Sequence, residues 1–234
     1  MSMPVLNFLC AGASQGLVKA LQERFSAETG ATLQGRFGAV GALKEALLAG
    51  EPCDVMVVTA SMIDALCDEG RLRAGSRRAL GQVFTGIAVC EGVPPPDVHS
   101  PAALKAALQA ADSLWFPDPL RATAGIHFAN LMRELGIHDE LQARFRTFPA
   151  GAIAMREMAA GGSPGALGCT QVTEINYTPG VALAGVLPPP FELATVYSAA
   201  VAVQAVDAAL AQRFVELVCG PASLELRRAG GFVV

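Results

Sequence analysis

Charged residues are scarce in this sequence, at 16% of 234 positions, and aromatic residues are scarcer still, at 6%. With 17 Lys and Arg against 21 Asp and Glu, the chain lacks the basic excess of nucleic-acid-binding domains. Apolar residues make up 52% of the chain, which excludes intrinsic disorder, because disorder needs low hydrophobicity and high net charge. No apolar run approaches the roughly 18 residues of a membrane-spanning helix, so a membrane-embedded protein is not expected.

Cysteine and histidine are present, but they are not spaced as metal ligands. No two of the six cysteines lie within four residues of each other, so the sequence has neither a CxxC pair nor a zinc-ligand spacing. Their apolar surroundings predict small buried thiols, which fit a reducing compartment. These cysteines are Cys10, Cys53, Cys67, Cys90, Cys169 and Cys219. Since GxxxxGK[ST], GxGxxG, GxSxG and HExxH are also missing, the sequence predicts no metal and no cofactor.

The N-terminal segment, residues 1–10, has no charged residue before its apolar stretch and no recognisable cleavage site. As the sequence stands, this pattern predicts a cytoplasmic protein without an export signal. If a leader had been removed from a longer precursor, the expected location would be the periplasm.

Short apolar runs alternate with segments of helical periodicity along the chain. Strands are predicted at 4–10, 32–37, 53–58, 83–90, 113–116, 165–169 and 194–203. Three early helices are predicted to end at Gly30, Gly50 and Gly70, and later ones to cover 101–111, 124–135, 139–146, 150–160, 206–218 and 221–229. Thr59 and the pair Ser100-Pro101 have the chemistry of helix caps. Strands that alternate with helices predict an α/β fold with a largely parallel sheet.

Small-residue loops follow several of the predicted strands. They are Gly12–Gly16, Gly38–Gly41, Thr59–Ser61, Thr123–Gly125 and Thr170–Thr173. In an open parallel sheet such loops lie at the carboxyl ends of the strands, where ligands bind. Each following helix directs unpaired N–H groups at that edge, so converging helix starts form an anion site without Lys or Arg. Each loop by itself is equally compatible with an ordinary strand–helix connection.

Several segments together resemble the periplasmic molybdate-binding proteins, in the same order and with similar spacing. These segments are Phe25–Gly30, Phe37–Leu43, Leu48–Met56, Asp118–Ile126, Tyr197, Phe214–Pro221 and Gly230–Phe232. The resemblance implies the type II periplasmic-binding-protein fold, with two α/β lobes, a ligand cleft between them, and two crossing strands near 81–88 and 193–198. One lobe would comprise 1–82 and 197–234, and the other 83–196.

The resemblance and the small-residue loops together indicate ligand-binding positions. They are Ala13 with Ser14, Val40 with Gly41, Thr59, Thr123 with Ala124 and Gly125, and Thr170 with Gln171. Ala13 and Val40 stand where the family has serines, and Gln171 stands where it has a tyrosine, although a one-residue shift would restore Ser14. A tetrahedral oxyanion would lose hydrogen bonds worth about 1.5–3 kcal/mol each. A small organic anion, such as a di- or tricarboxylate, therefore becomes an alternative to molybdate.

Two functions of different classes follow. The first is a solute-binding protein for a small anion, which would serve an ABC permease if it is exported. The second is a cytoplasmic isomerase similar to aconitate isomerase, which moves a double bond by an allylic proton shift. Its acid–base candidates are Glu174, Tyr197 and His127, and Arg121 could clamp a carboxylate. Each of these four is also explained by a structural role in a cap, a core or a solvated loop. A ligand-sensing domain of a regulator is a third hypothesis.

Overall fold

The computed structural model describes residues 3–234, which form two compact units. Among the described residues, the first unit comprises 3–83 and Thr195–Val234, and the second comprises Phe84–Ala194. The lobe boundaries expected from the sequence lie one and two residues away from these divisions. Residues 1 and 2, with which the expected first lobe and the segment inspected for an export signal begin, lie outside the described residues.

Strands and helices alternate through most of the described chain. The strands are β1 (Val5–Ala11), β2 (Thr32–Gly38), β3 (Val55–Thr59), β4 (Arg78–Cys90), β5 (Ser113–Pro117), β6 (Phe145–Phe148), β7 (Ala166–Gln171), β8 (Val181–Val186) and β9 (Ala194–Val201). The helices are α1 (Gln15–Thr29), α2 (Val40–Leu48), α3 (Ala60–Asp68), α4 (Pro101–Ala110), α5 (Thr123–Glu134), α6 (His138–Leu141), α7 (Gly151–Gly161), α8 (Val172–Asn176), α9 (Ala208–Cys219) and α10 (Leu224–Gly230). The predicted α/β class is confirmed.

In the first unit the strand order is β2-β1-β3-β9. β1 runs parallel to both of its neighbours, whereas β9 is antiparallel to β3. The aromatic rings of Phe25 on α1 and Phe214 on α9 meet edge to face, 5.1 Å apart. Both rings are buried, so this pair fixes the two helices against each other in the core of the unit.

Local sequence signals set the helix ends as predicted. Gly30 ends α1 in the left-handed conformation, at φ 69°, which glycine adopts without a steric penalty. The Thr59 hydroxyl accepts a bond from the Met62 N–H and so caps α3. Ser100 caps α4 through the Ala103 N–H, directly before the proline at the first helical position.

In the second unit β5 is parallel to β6 and β7, while β4 is antiparallel to β7 and β8. Side chains on the two faces of this sheet join different apolar clusters. On one face, here called the α5 face, Ile87 and Cys169 pack with Phe128 of α5. On the other, the α7 face, Ala88 packs with Met155 of α7. Each helix therefore covers its own face of the sheet.

Several predicted elements need correction. The helix predicted over 139–146 is wrong in its second half, because α6 ends at Leu141, a 3₁₀ turn follows, and β6 then pairs with β5. The predicted loops at 59–61 and 170–173 are absent, since α3 and α8 begin directly after β3 and β7. The predicted loop at 123–125 is also wrong, because these residues are the first three of α5. Only Cys10 and Cys169 of the six cysteines are buried, whereas the other four are partly exposed. Among the described helices, none has the length and apolar character needed to cross a bilayer.

Candidate functional site

The first edge, as we name it, comprises the carboxyl ends of β1, β2 and β3 with the starts of α1, α2 and α3. Ala13 and Ser14 lie in a buried 3₁₀ turn between β1 and α1. The Ser14 hydroxyl is fully buried and bonds to no other described residue. A buried hydroxyl without a partner is costly, so its presence at a strand end marks a place where a ligand can bond.

The antiparallel strand β9 adds two further side chains to this edge. Ser198 lies opposite Val58 and Tyr197 opposite Thr59, at the carboxyl end of β3. The Ser198 hydroxyl is fully buried and has no partner among the described residues. Tyr197 is 2% exposed, so it is a core side chain of the first unit. Sequence reasoning missed Ser198, because serine inside an apolar strand carries no distinctive pattern.

The start of α2 supplies main-chain groups to the first edge. Val40 and Gly41 are its first two residues, and Ala39 precedes them without a side-chain cap. The first N–H groups of a helix have no acceptor within the helix. Val40, where the resemblance implies a serine, therefore offers an N–H donor here, although its side chain is apolar.

The second edge comprises the carboxyl ends of β5 and β7 with the starts of α5, α7 and α8. Thr123, Ala124 and Gly125 form the first turn of α5, which has no side-chain cap. A Cβ on Gly125 would collide with the carbonyl oxygens of Pro117 and Asp118, so this turn lies directly on the end of β5. Arg121 lies in the exposed loop before the helix.

Gln171 ends β7 at this edge and is 3% exposed. Neither its amide nitrogen nor its amide oxygen bonds to a described residue. Thr85, directly opposite on β4, is 1% exposed, and its hydroxyl also has no partner there. Since side chains alternate along a strand, Gln171 and Thr85 share the α5 face with Cys169 and Ile87.

Glu174 lies on the opposite side of β7, where Thr170 and the start of α7 meet. Its carboxylate accepts hydrogen bonds from the Thr170 hydroxyl and from the Ala152 N–H, 3.2 Å away. Gly151 makes this position possible, because a Cβ there would overlap Thr170 Oγ1 and Glu174 Oε2. The carboxylate therefore caps α7, as anions do at helix starts.

Burial raises the pKa of Glu174, and its hydrogen bonds from Thr170 and from the N–H groups of Ala152 and Gln171 offset part of that rise. Between its ordinary pKa and this raised pKa, the folded protein binds more protons than the unfolded chain. The free energy of unfolding therefore falls as pH rises through this interval, and the full contribution is present below the ordinary pKa.

We expect Glu174→Gln to remove this pH dependence, because the amide keeps the shape of the side chain and does not titrate. The measurement is urea unfolding of both proteins from about pH 4 to pH 8, around the ordinary glutamate pKa. Wild type should lose stability relative to the variant as pH rises. Glu157→Gln, on the exposed side of α7, is the matched control and should keep the wild-type profile. Parallel profiles for wild type and Glu174→Gln would contradict the assignment.

His127 lies in α5 with its Nε2 atom 2.7 Å from the carbonyl oxygen of Phe191. A ring nitrogen held by a main-chain carbonyl is typical of a packed histidine. Among the described residues, no group of His, Cys, Asp and Glu side chains could hold a metal ion. Burial raises the pKa of the Cys53 thiol to about 12, so this cysteine is not a thiolate near neutral pH.

Two α/β units that the chain connects through β4 and β9 define the fold of the periplasmic binding proteins. The chain belongs to the bacterial extracellular solute-binding protein family, whose model matches residues 6–233. The resemblance to molybdate-binding proteins that the sequence predicted is confirmed.

Three relatives illustrate the range of similar proteins. The periplasmic molybdate-binding protein of Azotobacter vinelandii is 20% identical with a TM-score of 0.78, over 98% of this chain and 99% of its own. The sulfate-binding protein of Mycobacterium tuberculosis is 15% identical with a TM-score of 0.73, over 98% and 86%. An aconitate isomerase of a Pseudomonas species is 28% identical, over 83% of this chain and 74% of the relative. The two structural matches establish the fold.

Proposed function

We propose that this solute-binding protein binds a small anion, and that each of the two edges described above is a candidate for its binding site. The observation that carries the proposal is a set of buried polar side chains without partners, all at these edges. They are Ser14 and Ser198 in the first unit and, in the second, Thr85, Gln171 and Thr173, which is the second residue of α8. Unpaired buried polar atoms are few in folded proteins, and such a concentration at strand ends favours a ligand site.

The charge of the ligand follows from the helix starts. α1 and α2 begin at the first edge and α5 at the second, and none of them has a side-chain cap. Their first N–H groups carry a partial positive charge that favours an anion. Neutral donors of this kind bind an anion without any lysine or arginine.

The relatives support a transport context. The A. vinelandii neighbour is a periplasmic molybdate-binding protein, and a Geobacter sulfurreducens neighbour with a TM-score of 0.66 belongs to a tungstate ABC transporter. By analogy we propose a periplasmic location and an ABC permease as partner. Detection of the mature protein in a periplasmic extract of its host tests the location, and its presence only in the cytosol would overturn it.

A thermal-shift screen tests anion binding. The panel contains molybdate, tungstate, sulfate, phosphate, citrate, cis-aconitate and trans-aconitate. A ligand at 100 times its Kd stabilises the folded protein by about 2.7 kcal/mol, so even moderate binding is visible. We expect at least one anion to raise the melting temperature, and no shift with any of them would overturn the proposal.

We expect Ser14→Ala to weaken binding of the anion found in this screen about tenfold, because one hydrogen bond to a charged group is worth about 1.5 kcal/mol or more. The unliganded variant should be as stable as wild type, since the hydroxyl bonds to no described residue. Calorimetric titration and urea unfolding give the two values.

Ser223→Ala is the matched control for this prediction. Ser223 is equally buried, but its hydroxyl donates to the Val218 carbonyl oxygen, 2.9 Å away. This variant should lose stability and keep the affinity for the anion. If Ser14→Ala lost stability and kept its affinity, Ser14 would be a structural residue and not a ligand-binding one.

A second candidate function is isomerisation of a small carboxylate. The similarity to aconitate isomerase supports it, and so does Glu174, a buried carboxyl group with a raised pKa. In its ionised form this group would take a proton from one end of an allylic system, and the carboxylic acid so formed would return that proton to the other end. Proton NMR of cis- and trans-aconitate with the protein follows their interconversion. Conversion above the protein-free rate would support the enzyme, and none would exclude this activity.

A further inference from the structure

The polar atoms without partners at the second edge differ from those at the first in one respect. The first edge offers hydroxyls, which can turn to donate. The Gln171 amide has a nitrogen that only donates and an oxygen that only accepts. Both atoms are buried and bond to no described residue. A ligand that pairs both atoms must contribute an acceptor and a donor.

Gln171 and the start of α5 lie at the same end of the second sheet. β5 and β7 run parallel in a register that pairs Trp115 with Gly168, so Pro117 is level with Thr170 at their carboxyl ends. The first turn of α5 rests on Pro117. Gln171 faces the side of the sheet that α5 covers, as argued above. The N–H groups at the start of α5 and the Gln171 amide therefore lie at the same corner of the second unit, at the carboxyl ends of β5 and β7.

We infer that the ligand is a hydroxycarboxylate, whose carboxylate binds the N–H groups at the start of α5 and whose hydroxyl pairs with the Gln171 amide. A hydroxyl donates and accepts at one atom, which is what the amide requires. The neighbouring Thr85 hydroxyl, on the same face, adds a second partner. This inference rests on the proposed anion-binding function and names the class of its ligand.

Two other ligand classes fit this corner less well. Molybdate, tungstate and sulfate carry only acceptors when fully deprotonated, so they leave the Gln171 oxygen unpaired. An ammonium group would need a free carboxylate, but Glu174 already accepts bonds from Thr170 and from the Ala152 N–H. Glu174 also lies on the α7 face, away from the side chain of Gln171.

Pairs of ligands that differ by one hydroxyl test the inference directly. Malate is compared with succinate, and citrate with tricarballylate, by isothermal titration calorimetry of the full chain. We expect wild type to bind the hydroxy member of at least one pair about tenfold or more tightly, because a site built to bond a hydroxyl rejects the analogue that lacks it. In Gln171→Met the two members should bind within about threefold of each other, as expected once that hydrogen bond is removed.

Thr85→Val, a substitution of the same shape, should reduce the preference in part and gives an independent variant. Gln212→Met on α9, whose amide bonds Glu216, is the matched control and should keep the full preference. Equal binding within both pairs, a preference that survives Gln171→Met, or binding of inorganic oxyanions alone would overturn the hydroxycarboxylate and leave anion binding intact. No binding of any anion in either panel would overturn the proposed function itself.

Discussion

Gly151→Ala is expected to lower the free energy of unfolding by about 3 kcal/mol. The added methyl group would overlap Thr170 Oγ1 and Glu174 Oε2, both buried. Overpacking costs about 1–3 kcal/mol, and displacing the carboxylate from the α7 start adds about 1–3 kcal/mol for unpaired polar atoms. Urea unfolding at neutral pH gives the value.

Gly161→Ala at the other end of α7 is the matched control. A Cβ there meets no atom within 4 Å, and alanine favours helix over glycine by about 0.5–1 kcal/mol. This variant should equal or exceed wild type in stability. Combining Gly151→Ala with Glu174→Ala should cost less than the sum of the single variants, because the overlap with the carboxylate is removed. Strict additivity, or a stable Gly151→Ala, would contradict the packing described for Glu174.

Arg227→Met is expected to destabilise the protein by about 3–4 kcal/mol, the range for the loss of several bonds from one buried charged group. Arg227 is 3% exposed and lies on α10 of the first unit. Its guanidinium donates to the Leu80 carbonyl, to the Gly220 carbonyl at 2.9 Å and to the Ser223 hydroxyl at 3.2 Å. Methionine fills similar space but removes all three of these hydrogen bonds.

The adjacent Arg228 provides the comparison. Its side chain is 56% exposed and, within residues 3–234, forms an ion pair only with Glu225, three residues earlier, at 3.2 Å. Exposed pairs of this kind contribute about 0–1 kcal/mol, so Arg228→Met should remain close to wild type in chemical denaturation. Similar small losses in both variants would show that the bonds of Arg227 do not hold α10 to β4.

The elements predicted from the sequence are those with local signals. Gly30 and Thr59 set helix ends through their own conformation and chemistry, so they were identified without tertiary information. β6 was missed because its four residues come directly after a segment with helical periodicity. Only their pairing with β5 identifies them as a strand. β8 is mostly apolar, but its two alanines and one glycine do not favour a strand, and it depends on pairing with β4 in the same way.

The residues of the candidate site also divide into those that the sequence identified and those that it missed. Ser14 and Gln171 came from the family resemblance, which fixes positions along the chain. Thr85 and Ser198 were missed, because what distinguishes them is the absence of a partner after folding. The role of Gly151 was also hidden, since its contacts are with Thr170 and Glu174, which are distant in sequence. Burial and pairing are properties of the folded chain, and no spacing rule encodes them.

The position of β9 has a consequence for biosynthesis. The second unit is continuous in sequence, whereas the first needs β9, which pairs with β3 across Val55–Thr59. Ribosomes deliver the chain from its N-terminus, so residues 84–194 are complete before the first unit can close. Until then β3 is an apolar edge strand of the kind that invites aggregation. The nascent chain is therefore exposed to aggregation through β3 until β9, Ala194–Val201, has emerged and paired with it.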